Sequence, residues 1–218
     1  AVAKAGGAGP STLPTWLAAR FAIYDADSWP DSGVSMGWPK LSAAQRHAGL
    51  EYMRDILKFF EVYTKEDGTR VGSIAVQLRH LLAVEKVFPD GSGLEGLLVE
   101  MLLNRCVQMG VAGGDSICTH RILVDLCSTR TGTVPDLLAA GAAQLHGCVQ
   151  ATDMAAWHET AQWLSFHLVN FELKWPYWQA WADEYKPDSE DGDAYTRAFV
   201  RSVVDSCTRA IGPAQLKK

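Results

Sequence analysis

The chain has 218 residues, 48% of them hydrophobic, which is enough for one large folded domain or two small ones. Its formal net charge of −5 argues against a main nucleic-acid contact, which normally needs a basic patch, so we expect no direct grip on DNA or RNA. No run of 18 apolar residues occurs, so we expect neither a membrane-spanning helix nor a membrane partner.

The first residues carry neither a methionine nor the apolar stretch of a signal peptide, and we expect the chain to be part of a longer protein. The five cysteines lie inside apolar helical patterns without C-x-x-C spacing, and no N-x-S/T sequon is present. This usage predicts a reducing compartment, cytosolic or nuclear, and buried, inert thiols. The cysteines are Cys106, Cys118, Cys127, Cys148 and Cys207.

Composition divides the chain into four parts. Residues 1–12 are rich in glycine and alanine, and we expect a disordered or loosely attached arm. Residues 13–40 carry three tryptophans and three prolines, which favours an extended strap anchored to helices, with a short helix over residues 14–22. Residues 41–212 show helical spacing and should form one α-helical repeat domain, followed by a tail over residues 213–218.

Apolar spacing predicts a first helix from residue 41, ended by the turn at Asp67-Gly68, and further helices over 73–87, 94–109 and 116–128, and from 133 onward. Ser42 with Gln45 has the spacing of a capping box. Residues 94–109 are apolar on nearly every face, which predicts a central, buried helix. A last helix is expected over residues 193–210, with Tyr195, Phe199, Val203 and Cys207 facing inward.

Residues 157–185 hold five of the eight tryptophans. A stripe with steps of three and four predicts a helix opened by Asp153, and Pro176 should end it near Lys174 or Trp175. Pro176 should then start a short helix that carries Trp178 and Trp181. The stripe consists of Met154, Trp157, Ala161, Leu164, Leu168 and Phe171.

Trp163, His167 and Asn170 lie on a neighbouring face, so the helix has two faces to bury and resembles an inner helix of a stack. We expect Trp163 and Trp175 to be largely buried. His167 and Asn170 should hydrogen-bond backbone groups of a neighbouring turn, with direct contact to a partner as the alternative. The acidic residues 183–193 favour a solvated loop, with docking of a basic partner as the alternative.

Motifs for chemistry are weak. Gly91-Ser-Gly93-Leu-Glu-Gly96 matches G-x-G-x-x-G, but no strand precedes it, so a plain loop is the better interpretation. The six histidines form no i, i+4 pair and no H-E-x-x-H motif, which gives no indication of a metal site. No G-x-S-x-G nucleophile elbow occurs. We therefore expect no enzyme activity, no cofactor and no metal.

No segment of useful length alternates with period two, so no sheet is expected. Eight or nine helices joined by short loops predict an all-α fold of antiparallel helical hairpins, an α-solenoid of the armadillo or HEAT type.

The tryptophan-rich stretch carries a family resemblance. A tryptophan, a His-Leu-x-Asn-Phe run and a tryptophan-rich acidic turn resemble the second helical-repeat domain of the large subunits of nuclear cap-binding complexes, related to the middle domain of translation initiation factor 4G. The resemblance covers residues 94–211 and extends more loosely over 41–82. It rests mainly on Trp163, His167, Asn170, Phe171, Trp175, Trp178, Trp181 and Asp183.

That resemblance implies a non-catalytic nuclear scaffold, shuttling to the cytoplasm, whose partner is the small RNA-recognition-motif subunit that grips the 5′ cap. It also implies recruitment of splicing, processing and export factors, with capped RNA held only indirectly. The tryptophan motif would then be a partner-binding or structural element. The alternative is a related middle domain of a translation-initiation or mRNA-decay factor, which would bind a DEAD-box RNA helicase.

Overall fold

A computed structural model of the protein describes residues 42–62, 72–88, 94–112, 116–147, 154–186 and 194–212. These ranges form eight helices and no strand, which confirms the all-α prediction. The predicted arm, strap and tail lie outside them. The helices are α1 (Ala43–Val62), α2 (Ile74–Ala83), α3 (Leu94–Ala112), α4 (Ser116–Thr129), α5 (Val134–Gly147), α6 (Met154–Asn170), α7 (Trp178–Glu184) and α8 (Ala194–Ile211).

The helix starts follow local hydrogen bonds. The Ser42 amide donates to Gln45 Oε1 at 2.9 Å, and the Gln45 amide donates to Ser42 Oγ at 3.2 Å, which confirms the capping box. Ser73 Oγ accepts from the Val76 amide at 3.4 Å at the start of α2. The helix predicted over 73–87 changes character at Ala83, where α2 tightens into a 3₁₀ turn over Val84–Val87.

Helix α3 is the centre of the fold. From Leu94 to Val107 its apolar side chains are buried on every face, as predicted, because the helix packs against α1, α4, α5 and α6. Helix α1 comes close at Gly49, where an added Cβ would lie 3.0 Å from Leu97 Cδ2. Despite this apolar character, no helix in the described ranges is long and apolar enough to cross a membrane.

A carboxylate is buried within the apolar surface of α3. The Glu100 side chain is only 5% exposed, and its carboxylate accepts a hydrogen bond from the Arg46 guanidinium of α1. A buried carboxylate without such a partner would be strongly destabilising. This ion pair therefore ties α1 to α3.

Helix α6 is the second interior element, between α3, α4 and α8. Trp163, Leu164 and Leu168 are fully buried, which confirms the inner-helix prediction. Ser165 Oγ lies 2.6 Å from the Ala161 carbonyl and 3.3 Å from the Val203 carbonyl of α8, so it links the two helices. The ends of the predicted stripes were wrong: Met154 on α6 and Tyr195 on α8 face solvent, because each lies in the first turn, beyond the packed surface.

Helix α6 ends at Asn170, earlier than the end near Lys174 or Trp175 that we predicted from Pro176. Glu172 and Leu173 adopt left-handed conformations, with φ of 56° and 59°. The Leu173 amide donates to the Leu168 carbonyl at 2.8 Å, the six-residue closure of a Schellman turn. Trp178 Nε1 donates to the Leu173 carbonyl at 2.7 Å. A left-handed reversal therefore ends α6, and α7 starts two residues after Pro176.

The thiols fit the prediction where they are described. Cys106, Cys127 and Cys207 are buried, Cys118 is half-buried, and none of these four forms a disulfide; Cys148 lies outside the described ranges. Burial raises the pKa of Cys127 to about 12 and raises the pKa of Cys106 and Cys207 as well.

Trp163 and Trp175 should differ in their contribution to stability. Trp163 is fully buried and Trp175 only partly, so the prediction that both are largely buried was half right. We expect Trp163→Ala to lower the free energy of unfolding by about 3–5 kcal/mol, and Trp175→Ala by about half that. Urea denaturation measures both, with the exposed Tyr195→Ala as control, expected within about 0.5 kcal/mol of the parent. Equal losses at the two tryptophans would contradict this burial.

The reversal after α6 can be tested at Glu172. A left-handed residue with a Cβ costs about 1–2 kcal/mol, so Glu172→Gly should be more stable than Glu172→Ala by about 1 kcal/mol. At Ala198, exposed on α8, the same exchange should have the opposite sign, because Ala198→Gly costs about 1 kcal/mol in a right-handed helix. Urea denaturation of both pairs decides the point; the same sign at both sites would rule out the left-handed turn.

Candidate protein-docking surface

The reversal brings three tryptophans of the motif together. The centroid of the Trp181 ring lies 5.6 Å from that of Trp175 and 5.7 Å from that of Trp178. Trp175 also meets Tyr177 edge to face at 5.7 Å. These separations lie in the range in which aromatic pairs contribute energy beyond their buried area. Trp175, Trp178 and Trp181 form what we call the tryptophan cluster.

The tryptophan cluster packs against neighbouring helices through Trp181, which is buried. The His146 ring of α5 stacks on Trp181 at 4.8 Å, and Phe199 of α8 meets it edge to face at 6.3 Å. His146 Nε2 also lies 3.3 Å from Glu184 Oε2 at the end of α7. One indole therefore joins α5, α7 and α8, although α7 is only seven residues long.

A groove runs along the outer side of this cluster, between α7 and α8. It encloses about 550 Å³. Trp178, Trp181 and Ala182 of α7 line it together with Tyr185, which directly follows α7, and Val200, Arg201, Val204 and Asp205 line it from α8.

The groove combines an apolar floor with a charged edge. Val204 is 42% exposed and Tyr185 is 45% exposed, so both present apolar surface to solvent. Arg201 Nε and Asp205 Oδ2 lie 3.8 Å apart on the outer turn of α8, and both side chains are more than half exposed. An exposed apolar strip beside paired charges is typical of a protein-docking surface.

His167 does not have the backbone hydrogen bond that its sequence predicted. The ring is buried between Trp163 and Phe171, at centroid distances of 6.1 Å and 4.6 Å, and its Nδ1 has no hydrogen-bond partner among the described residues. Burial lowers the pKa of His167 to about 4. His167 is therefore a neutral core side chain, closed off from partner contact by its neighbours.

Asn170 and Asp183 face solvent, on different elements. Asn170 Nδ2 donates to the Phe166 carbonyl, a backbone group one turn earlier in α6, at 2.8 Å, as the sequence predicted. Asp183 accepts from Lys186 Nζ at 2.6 Å and from Gln179 Nε2 at 3.3 Å, and these bonds hold its pKa below the usual range. Asp183 and Glu184 end α7, so the predicted acidic loop starts later; residues 187–193 lie outside the described ranges.

The eight motif residues thus divide into separate roles. Trp178 and Trp181 line the groove, Trp175 supports them, Trp163, His167 and Phe171 pack along α6, and Asn170 and Asp183 are exposed. The sequence analysis missed the α8 wall of the groove. In the sequence this wall is indicated by two apolar residues four apart, Val200 and Val204, which lie beside the predicted inward stripe of the helix. The i, i+4 charge pair Arg201 and Asp205 lies next to them.

No group of three or more His, Cys, Asp or Glu side chains in the described ranges could hold a metal ion. Val84–Val87, upstream of the G-x-G-x-x-G match, form a 3₁₀ turn, whereas dinucleotide binding requires a strand before the glycines. The groove between α7 and α8 offers a partner a shaped cavity and apolar contacts.

Buried His167 should make the fold sensitive to acid. Its folded pKa of about 4 lies below the ordinary 6.5, so the unfolded chain takes up the proton first as pH falls. Stability is therefore lost between pH 6.5 and 4, by about 2 kcal/mol between pH 7 and 5. His167→Gln should lose about 2 kcal/mol less than the parent over that interval in urea denaturation. Identical losses in both proteins would show that His167 is accessible to protons when folded.

Comparisons with known proteins agree with this architecture. Residues 45–210 match the family described as MIF4G like. The chain is 28% identical over 112 residues to nuclear cap-binding protein subunit 1-B of Xenopus laevis. Over the same length it is 26% identical to nuclear cap-binding protein subunit 1 of Homo sapiens and of Mus musculus.

Each of these matches covers 51% of this chain and 14% of the relative, so the chain spans a small part of the proteins that it resembles. The relatives confirm the resemblance carried by the tryptophan-rich motif. The family match extends over most of the chain and includes six of the described helices in full, α1 from its third residue and α8 up to its last residue but one. The protein belongs to the MIF4G-like family of helical domains.

Proposed function

We propose that this domain is a non-catalytic scaffold within the large subunit of a nuclear cap-binding complex. In this role it supports a small RNA-recognition-motif subunit that grips the 5′ cap, and it recruits RNA-processing and export factors. The relatives are named as nuclear, as cap-binding and as subunits, which supports this assignment and a nuclear location. Shuttling to the cytoplasm is a further part of the proposal.

The observation that carries the proposal is the groove between α7 and α8. Its lining is held by the tryptophan cluster, so its shape is largely fixed before a partner arrives. A preformed surface spares the ordering cost on one side of an interface, and that cost is often what limits affinity. A partner segment with an apolar side chain can fill the space above Val204 and Tyr185.

Capped RNA is bound only indirectly in this proposal. The formal net charge is −5, so phosphate contacts would meet repulsion. The rings of the tryptophan cluster pack against one another and against His146, so Trp181 offers no free face on which a base could stack.

The groove can be tested with one charge substitution. Val204→Glu places a carboxylate on its apolar floor, at a position exposed enough to leave the fold intact. The chain, expressed in cells in its full-length context, is captured and its partners are quantified by mass spectrometry. We expect at least tenfold less of the small cap-binding subunit with Val204→Glu, which corresponds to about 1.4 kcal/mol or more.

Ile117→Glu is the matched control. Ile117 is 69% exposed on α4, and the same substitution there should leave recovery of the small subunit unchanged. Equal recovery with Val204→Glu and the parent would remove the groove as docking surface. Capture of a DEAD-box helicase in place of the small subunit would favour the second candidate, a translation-initiation or mRNA-decay factor of the same family.

A further inference from the structure

A second groove lies between α2 and α4 and shares no lining residue with the groove between α7 and α8. It encloses about 430 Å³. Residues of α2 with the spacing i, i+3, i+4 and i+7 form one wall, and residues of α4 with the spacing i, i+3 and i+4 form the other. We call it the α2–α4 groove, and its lining consists of Ala75, Leu78, Arg79, Leu82, Asp125, Ser128 and Thr129.

The floor of the α2–α4 groove is apolar. Leu78 is buried in the core, Leu82 packs against the core and stays half-buried, and Ala75 is exposed beside them. From Ala75 to Leu82 the floor extends about 10 Å, because a helix rises about 1.5 Å per residue. That is two helical turns, the length over which a helix in a groove places apolar anchors at i, i+3 or i+4, and i+7.

The polar groups of the α4 wall are already engaged. Ser128 Oγ donates to the Val124 carbonyl at 3.0 Å, and Thr129 Oγ1 donates to the Asp125 carbonyl at 2.7 Å. The Asp125 carboxylate in turn accepts a hydrogen bond from Arg121 Nε at 2.9 Å. The negative charge at this wall is therefore balanced by a cation of the same helix.

The α2 wall carries a charge that is not balanced in this way. Arg79 is exposed, and within the described ranges no carboxylate forms an ion pair with its guanidinium. A guanidinium can hold a carboxylate through two parallel N–H groups, which gives direction as well as attraction. The groove thus combines an apolar floor with a cation at one edge, and it fits a ligand that has the complementary pattern.

We propose that the α2–α4 groove binds an acidic amphipathic helix of a partner protein. The apolar stripe of that helix covers Leu78 and Leu82, and a carboxylate beside the stripe pairs with Arg79. The net charge of the chain is −5, so selection of an acidic partner rests on this contact, inside the Debye length of about 8–10 Å. The inference is independent of the groove between α7 and α8 and of the partner assigned there.

A charge exchange between the groove and a probe helix tests the proposal. Two fluorescent peptides of about 16 residues carry leucines at i, i+3 and i+7; one has glutamates beside the leucines, and the other has lysines at the same positions. Fluorescence anisotropy measures their Kd for the whole 218-residue chain. We expect the glutamate peptide to bind at least ten times more tightly at low salt, with a difference that shrinks as salt rises.

Arg79→Glu should reverse the preference, so that the lysine peptide binds at least ten times more tightly than the glutamate peptide. Loss of folding cannot produce that gain, and circular dichroism should show unchanged helix. Arg201→Glu, at the groove between α7 and α8, is the matched control and should leave both Kd values unchanged.

Three outcomes would overturn the inference. Reversal by Arg201→Glu instead of Arg79→Glu would mean that the probe binds in the other groove. Equal binding of the two peptides to the parent would remove the role of Arg79. Binding of neither peptide would mean that the α2–α4 groove takes no partner helix, as when another part of the chain or a second copy fills it.

Discussion

The bond from the Trp178 indole N–H to the Leu173 carbonyl holds the part of the fold on which the groove depends. Two successive left-handed residues that carry a Cβ are unfavourable, so the reversal after α6 needs support from outside its own backbone. The indole supplies it and places its own ring beside Trp181. Without that reversal, α6 would continue toward Pro176 and the two walls of the groove would not meet.

The interior is organised by two helices that bury both faces, α3 and α6, and each carries a polar group that sets its alignment. Glu100 on α3 holds Arg46 of α1, and Ser165 on α6 contacts the Val203 carbonyl of α8. Apolar contacts are non-directional, whereas these bonds exist at one register only. The hydrophobic surface drives the helices together, and the polar bonds select how they align.

The sequence alone predicted most of the helices and the two buried ones, because spacing of three and four reports directly on which face is apolar. It failed where contacts between distant parts of the chain decide the local structure. Nothing local indicates that Glu172 and Leu173 turn left-handed, since neither is glycine, and Pro176 offered a plausible but later end. His167 was expected to be hydrogen-bonded, yet the rings of Trp163 and Phe171 exclude a partner. The groove needs Val200 and Val204 opposite Tyr185, a pairing of two helices that periodicity cannot reveal.

Burial of the thiols determines how readily the domain reacts with oxidants. Only a thiolate attacks peroxide or an alkylating reagent, and at neutral pH a thiol with the pKa of Cys127, about 12, is ionised in roughly one molecule in 10⁵, against several per cent for a free cysteine. Cys106 and Cys207 are shielded in the same way. Of the four described cysteines, half-buried Cys118 alone offers a reagent partial access. During oxidative stress the core should therefore stay chemically intact, and Cys118 is the natural place to attach a spectroscopic label.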